Sequence, residues 1–148
     1  MANNTGTAIW RGGLKGGDGS VSTQSNALHN SQYTYKTRFE DDRNGTNPEE
    51  LIGAAHAACF SQFLAALLEK EGKTPNEIKT DSVVTLSKND SGPFISKIEL
   101  RTTANVPDIE DAMFQELAQK AKENCPVSKV LKAVPEMTLQ ATLANAKQ

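Results

Sequence analysis

The stretch that decides the fold is Asn47-Pro48-Glu49-Glu50-Leu51-Ile52-Gly53-Ala54-Ala55-His56-Ala57-Ala58-Cys59-Phe60-Ser61. Its first residues are typical of a helix start. Asn47 suits the N-cap, and Pro48 suits the first helical position because its missing N–H would be unpaired there anyway. Glu49 and Glu50 then place negative charge at the positive end of the helix dipole. The pattern predicts a helix that begins at Pro48.

This helix is predicted to continue to about Lys70 and to stop at Gly72. Apolar residues cover nearly its whole circumference, and a helix of that kind must be buried on all sides. One chain of 148 residues would struggle to cover it alone, so we expect a second copy of the chain to complete the covering. The stretch is long enough to span a membrane, but its alanine-rich, partly polar composition favours a buried helix and no membrane association.

The rest of the sequence alternates between strand and helix patterns. Strands are expected at Thr7–Trp10, Ser20–Thr23, Tyr33–Phe39, Ser82–Lys88, Phe94–Val106 and Met137–Ala141, and further helices at Ile109–Lys122 and Val127–Ala133. The strands around the turn at Asn89–Pro93 should form an antiparallel hairpin. Because no βαβ unit repeats, the class is α+β with mainly antiparallel sheet and two long helices, in a single domain over residues 1–148.

Two of these elements have a predicted buried face. In the strand 94–106 it carries Phe94, Ile98, Leu100 and Val106, and in the helix 109–122 it carries Ile109, Met113, Leu117 and Ala121. Each set follows the period of its element.

Charge and termini exclude several classes of function. The net charge is −2, from 16 basic and 18 acidic residues, and no basic stripe favours nucleic-acid binding. The first ten residues lack the charged-then-apolar order of a secretory signal. We therefore expect a cytoplasmic protein.

The chain has two cysteines, 66 residues apart, which is neither a disulfide scaffold nor a CxxC motif. Most such cysteines are small buried hydrophobic residues. Cys125, however, lies in a helix break, and Pro126 fits the first position of the resumed helix. A thiol at that end of a helix is a candidate for reactivity.

Other chemistries have less support. His56 lies three residues before Cys59, but His29 is the only other histidine, so we expect no metal and assign His56 to a hydrogen-bonded core or interface position. Ser61 and Ser128 have no visible His/Asp constellation, which argues against a hydrolase triad. No cofactor is indicated.

The chain resembles the OsmC/Ohr family of thiol peroxidases in two segments, the helix 47–61 and the later Lys120-Ala121-Lys122-Glu123-Asn124-Cys125-Pro126-Val127-Ser128. The residues around Cys59 resemble the OsmC branch more than the Ohr branch. The resemblance covers essentially the whole chain. It implies an intertwined homodimer with active sites at the subunit interface, and reduction of organic hydroperoxides in the response to oxidative or osmotic stress.

The resemblance also implies roles for four residues. Cys59 would be the peroxidatic cysteine and Cys125 the resolving one, while Arg38 would activate the thiolate and Glu49 would position Arg38. A dithiol reductant, for which a lipoylated protein is one candidate, would reset the disulfide. In a straight helix Glu49 and Cys59 are ~15 Å apart, so we expect Glu49 to reach the site from the partner chain unless the helix bends.

Two other functions remain open. The chain could be a non-catalytic dimeric binding module for a small hydrophobic ligand, with inert cysteines, or a thiol redox sensor that oxidises without turnover. Arg38 could also be an ordinary surface charge. Glu49 could have no role beyond stabilising the positive end of the helix dipole.

Overall fold

A computed structural model of the chain describes residues 2–145. Two compact units divide it, Met1–Leu51 and Ile52–Gln148. The single domain expected over residues 1–148 remains a prediction.

The first unit holds a small antiparallel sheet with the strand order β1-β2-β3. The strands are β1 (Gly6–Arg11), β2 (Asp18–Thr23) and β3 (Ser31–Tyr33). The glycine-rich link between β1 and β2 is a turn in which Gly12 has φ +93°, a value that glycine adopts without steric cost.

The segment after β3 differs from prediction. Instead of one strand over Tyr33–Phe39, the chain leaves the sheet at Tyr33 and forms helix α1 (Tyr35–Phe39). The reason is a capping box: the Thr34 side chain accepts from the Thr37 N–H, and Thr37 Oγ1 accepts from the Thr34 N–H. Arg38 therefore lies on a short helix, and the predicted strand was wrong.

Helix α2 (Pro48–Lys70) has the predicted bounds. Asn47 caps it, with its side-chain oxygen accepting from the Glu50 N–H at 2.7 Å, and Gly72 follows its end with φ +72°. One face is buried and carries Gly53, His56, Phe60, Leu64 and Leu68. Another face is exposed and carries Ala54, Ala55, Ala58, Gln62 and Ala66, which we call the alanine stripe. The single chain thus covers only part of the helix that was expected to be buried all round.

Among the described residues, α2 is the one helix long and apolar enough to cross a membrane. This is weak evidence, because the core helix of a water-soluble protein has the same length and hydropathy.

The second unit is built on a sheet with the order β4-β5-β6. Strands β4 (Glu77–Asn89) and β5 (Gly92–Asn105) form the predicted antiparallel hairpin, with longer strands and a tighter turn than expected. Strand β6 (Glu136–Leu143) runs parallel to β5. The sheets are therefore mainly antiparallel, as predicted, with one parallel pair.

A register shift at Thr85/Leu86 changes one face assignment. Lys97 pairs with Thr85 and Ile95 with Leu86, so Ser96 is the extra residue of a β-bulge. Because a bulge reverses the alternation beyond it, Phe94 falls on the opposite side from Ile98, contrary to prediction. Ile98, Leu100 and Val106 are buried as expected.

Helix α3 (Asp111–Asn124) is followed by α4 (Pro126–Val130) and a 3-10 turn (Leu131–Ala133). The predicted stripe on α3 was partly wrong, because Met113 is 36% exposed whereas Phe114, Leu117, Ala118 and Ala121 are buried. The inner face of α3 packs with Phe60, Leu64 and Leu68 of α2 and with Leu100, Ala104 and Val106 in one core. This core also includes Cys125 and, at its edge, Cys59.

We predict that Gly53→Ala destabilises the protein, although alanine is the better helix former by ~1 kcal/mol. A Cβ at Gly53 would lie 2.8 Å from the backbone oxygen of Ser82. Overpacking of this kind should lower the free energy of unfolding by ~1–3 kcal/mol, measured by denaturant titration. Gly16→Ala is the control, since a Cβ there meets nothing within 4 Å. A stabilised Gly53→Ala variant would contradict the close approach of α2 to β4.

Candidate active site

Cys125 lies at the break between α3 and α4, as the sequence predicts. It ends α3, with its N–H bonded to the Ala121 oxygen, and it is the N-cap of α4, with Pro126 at the first helical position. Its sulfur accepts a hydrogen bond from the Ser128 N–H at 3.4 Å. Since Cys125 is fully buried, the helix break fixes the position of its thiol inside the second unit.

Cys59 lies near the middle of α2 and is half-buried. Burial raises the pKa of its thiol, the Val127 N–H beside it acts in the opposite sense, and the adjacent Cys125 thiol raises the pKa further. The structure therefore brings together two sulfurs that are 66 residues apart in sequence. Both are free thiols.

No cationic side chain of the second unit is among these influences on Cys59 over residues 52–145. A buried thiol without a nearby positive charge stays protonated at neutral pH. Residues 52–145 of the second unit thus bring the two sulfurs together without a cation that would ionise one of them.

Arg38 and Glu49 meet in the first unit. The Arg38 Nη2 donates to Glu49 Oε1 at 2.7 Å, and its Nε donates to Oε2 at 3.2 Å, which is the bidentate geometry of a strong arginine–carboxylate pair. Glu49 is 7% exposed and Arg38 about one third exposed. The start of α2 is tied to α1 by Asn47, whose side-chain amide donates to the Thr37 oxygen. The pair forms within one chain.

A cavity of about 210 Å³ opens beside this arginine in the first unit. Its walls are mainly aromatic, from Trp10, Tyr33, Tyr35 and Phe39. The guanidinium of Arg38 stacks over the Phe39 ring at 5.2 Å. The cavity therefore combines apolar walls with one fixed positive charge.

His56 is a hydrogen-bonded core residue, as predicted, but its partners were missed. It is fully buried, with Nε2 2.8 Å from Ser128 Oγ and Nδ1 3.2 Å from Ser82 Oγ. Ser128 Oγ also accepts from the Cys125 thiol at 3.1 Å. Burial lowers the pKa of His56, so it is neutral in the folded protein at neutral pH.

The Ser128–Cys125 contact had a signal in the sequence, since Ser128 is three residues after an N-cap cysteine. The His56–Ser128 contact spans 72 residues and had none. Metal ligation is not indicated over residues 2–145, where no three His, Cys, Asp or Glu side chains form a candidate cluster.

Comparison with known proteins decides the family. The model of the family described as OsmC-like protein matches residues 40–140. The chain belongs to the OsmC family. Peroxiredoxin OsmC of Escherichia coli K12 is 51% identical to it over 140 residues, which cover 95% of this chain and 96% of that protein.

Relatives of the Ohr branch are also recognisable. The organic hydroperoxide resistance protein of Xanthomonas axonopodis pv. citri is 36% identical over 96 residues, covering 64% of this OsmC-family chain and 66% of that protein. The crystal structure of OhrB from Bacillus subtilis superposes with a TM-score of 0.67 at 25% identity, covering 95% and 98% of the two chains. The α+β fold with mainly antiparallel sheets is thus that of the OsmC/Ohr family.

The neutral state of His56 predicts a pH-dependent stability. Because its folded-state pKa lies below the ordinary value of 6.5, the unfolded chain takes up a proton first as pH falls. The free energy of unfolding therefore has its full His56 contribution above pH 6.5. It falls as pH drops from there through the folded-state pKa, by up to ~1.4 kcal/mol per pH unit. Denaturant titrations between pH ~7.5 and ~5 should show a steeper loss for the wild type than for His56→Gln. Equal slopes would show that His56 is not held neutral.

Proposed function

We propose that this protein reduces organic hydroperoxides to alcohols through a sulfenic acid at Cys59 and a Cys59–Cys125 disulfide, which an external dithiol then reduces. Membership of the OsmC family and similarity to a named peroxiredoxin make the chain a peroxidase-type enzyme. The observation that carries the finer proposal is the meeting of two free thiols at the α3–α4 break.

The chemistry follows from that arrangement. The Cys59 thiolate attacks the terminal peroxide oxygen, the O–O bond breaks, and the alkoxide leaves as the alcohol after it takes up a proton. Cys59 is then a sulfenic acid, which condenses with the Cys125 thiol to a disulfide and water. This condensation precedes further oxidation of Cys59 to irreversible states. Thiol–disulfide exchange with a dithiol restores both thiols. A lipoylated carrier protein is one reductant of this class.

Activation of Cys59 requires a cation, and we assign this role to Arg38, with Glu49 as the residue that positions it. The Glu49 carboxylate engages Nε and one Nη of the guanidinium, so the other Nη group points away from the carboxylate. A guanidinium stays protonated, so it supplies a permanent positive charge with directed donors. Placed beside Cys59, it would stabilise the thiolate and so oppose the effect of burial.

This guanidinium is expected to come from the partner subunit. Glu49 and Cys59 are ten residues apart on the continuous helix α2, a separation of ~15 Å that one arginine does not usually bridge. Arg38 is paired with Glu49 of its own chain. The Arg38–Glu49 pair of one protomer would then serve Cys59 of the other, which refines the expectation that Glu49 acts across the interface.

A second copy of the chain also accounts for the alanine stripe on α2. Alanines at Ala54, Ala58 and Ala66 recur at helical spacing and leave a smooth apolar face exposed in the single chain. Small residues let two backbones approach closely, and exposed apolar surface of this kind marks an interface. We therefore propose an intertwined homodimer in which α2 is covered on all sides, as its composition requires.

The substrate preference follows from the walls of the site. The exposed alanines beside Cys59, Ala55 and Ala58, together with the aromatic cavity beside Arg38, would gain free energy from contact with an alkyl or aryl group. Hydrogen peroxide has no such group. An organic hydroperoxide should therefore be the better substrate, consistent with a cytoplasmic enzyme of the response to oxidative or osmotic stress.

The aromatic cavity is also the observation that favours the second candidate, a binding module for a small hydrophobic ligand. In that case the cysteines would be inert. A redox sensor would oxidise at Cys59 without turnover. Substitution of the two cysteines distinguishes these functions.

We predict that Cys59→Ser abolishes the reduction of cumene hydroperoxide in a dithiol-coupled assay, because the nucleophile is lost. Cys125→Ser should turn over once per site to the Cys59 sulfenic acid, and a second equivalent of peroxide should then over-oxidise Cys59 to the inactive sulfinic acid, because the sulfenic acid has no thiol to condense with. Mass spectrometry of the wild type after one equivalent of peroxide should show an intramolecular Cys59–Cys125 link.

Ser61→Ala, on the same helix, is the control and should keep full activity, since Ser61 Oγ bonds to Thr80. Unchanged turnover in Cys59→Ser would exclude the peroxidase mechanism, whereas oxidation of wild-type Cys59 without turnover by any dithiol would identify a sensor.

We predict that Arg38→Ala lowers kcat/KM by ~10²-fold or more, because it removes the charge that stabilises the thiolate. Arg43→Ala is the matched control, since Arg43 is exposed and paired only with Asp41. A mixed dimer of Arg38→Ala and Cys59→Ser chains, obtained by co-expression with two affinity tags, then has one complete site if the arginine acts across the interface. It should regain about half the activity of the wild-type dimer.

An inactive mixed dimer would show that Arg38 acts on Cys59 of its own chain. A monomer in sedimentation at micromolar concentration would contradict the shared site altogether.

A further inference from the structure

A buried hydrogen-bond chain connects the second thiol to a histidine. It runs from the Cys125 thiol to Ser128 Oγ at 3.1 Å, from Ser128 Oγ to His56 Nε2 at 2.8 Å, and from His56 Nδ1 to Ser82 Oγ at 3.2 Å. Three separate elements contribute to it: the start of α4, the buried face of α2, and β4. The family similarity assigns no role to His56 or Ser128.

The donors in this chain have one consistent direction. Since the thiol donates to Ser128 Oγ, the Ser128 hydroxyl hydrogen points to His56 Nε2. Nε2 is then the acceptor of a neutral imidazole, and Nδ1–H donates to Ser82 Oγ. The thiol and Ser128 hydroxyl hydrogens thus both point along the chain from Cys125 towards His56 Nε2, while the Nδ1 hydrogen points to Ser82.

The part of the hydrogen-bond chain from Cys125 to His56 is also shielded from water, whereas Ser82 at its other end is partly exposed. Cys125 and His56 have no exposed surface, and Ser128 is 3% exposed. The groups that face His56 are Ser82 from β4 and Ser128 from α4, with Cys125 behind Ser128, and Cys59 lies nearly one turn further along α2. Burial lowers the pKa of His56, and among the described residues no charged side chain contributes to this shift. A neutral imidazole in such a place is a base with no competing proton donor except the thiol.

We propose that Ser128 and His56 form a proton relay that activates Cys125 for its attack on the sulfenic acid at Cys59. Ser128 touches the reacting sulfur and is a catalytic residue, whereas His56 acts through Ser128 and is a positioning residue that also holds the proton. Ser82 fixes the tautomer of His56. This inference rests on the proposed function and adds the group that drives its second step.

The Cys125 thiol proton moves to Ser128 Oγ while the hydroxyl proton of Ser128 moves to His56 Nε2. The resulting thiolate forms the S–S bond to Cys59 as the S–O bond of the sulfenic acid breaks, so Cys125 is oxidised and Cys59 is reduced. The leaving hydroxide takes back one proton from His56 through Ser128 and departs as water. The network ends in its starting protonation state.

This relay makes the two thiols chemically different. The Ser128 N–H already points at the Cys125 sulfur, at 3.4 Å, and would stabilise the thiolate once the proton has left. Cys59 has no such connection to His56 among the described hydrogen bonds. The relay therefore serves the resolving step, while the guanidinium proposed above serves the first step.

The test separates the two steps in single-turnover experiments with one equivalent of cumene hydroperoxide. Sulfenic acid at Cys59 is trapped by dimedone and quantified by mass spectrometry, and disulfide is quantified on acid-quenched samples. The variants are Ser128→Ala, which removes the relay, and His56→Gln, which keeps a hydrogen-bonding side chain but cannot take up a proton. Ser61→Ala is the matched control.

The ratio of the rate of disulfide formation to that of sulfenic acid formation should fall by ~10–100-fold in both variants and stay unchanged in Ser61→Ala. In the wild type, disulfide formation should slow only as pH falls through the lowered pKa of His56, which lies below the ordinary value of 6.5, because a protonated His56 cannot accept a proton. In His56→Gln this part of the pH profile should be lost.

A structural role for His56 would lower the rates of both steps together, or lower thermal stability with the ratio intact, and either result would overturn the relay. So would a ratio within twofold of the wild-type value in both variants. Failure of the proposed function gives a different result, because wild-type Cys59 would then form neither sulfenic acid nor disulfide.

Discussion

The second half of the site depends on one constraint, the break between α3 and α4 at Cys125-Pro126. Pro126 has no N–H to donate to the turn of α3 before it, so the chain turns there and α4 begins again with Cys125 as its cap. Because the Ser128 N–H holds the Cys125 sulfur, the cap fixes the thiol against the buried face of α2. A continuous helix would carry residues 125–128 onward along the axis of α3, and both the thiol pair and the histidine contact would be lost.

Helix α2 has two functions that conflict. Phe60, Leu64 and Leu68 lie in the core of the second unit, whereas the proposed mechanism requires a reactive Cys59. Cys59 meets both needs by its place on the helix, one turn after the exposed Ala55 and next to the buried Phe60. Its sulfur therefore lies at the edge of the core, where burial raises the pKa of the thiol although the residue is only half-buried.

Local patterns predicted the fold well where they dominate. The bounds of α2, the hairpin and the break at Cys125 follow from caps, turns and proline. The errors have physical causes. In Tyr33–Phe39 the alternation of the two tyrosines was outweighed by the capping box of Thr34 and Thr37, and beyond the bulge at Ser96 the strand period reversed the expected face of Phe94. The His56–Ser128 contact depends on how α2 meets α4, which no local pattern encodes.

The two steps proposed for catalysis need opposite properties at the same atom. Cys59 must first be a nucleophile, which favours a nearby positive charge, and then an electrophile, whose attacker needs a base. A single group beside Cys59 would serve these steps poorly, because a base there would be protonated next to the forming thiolate, and a cation there would not accept the thiol proton. In the proposed mechanism Arg38 and His56 would divide the tasks, since one is permanently charged and the other is kept neutral by burial. Because Cys125 is linked to His56 through Ser128, the proposed charge would approach Cys59 from the side that the alanine stripe leaves exposed.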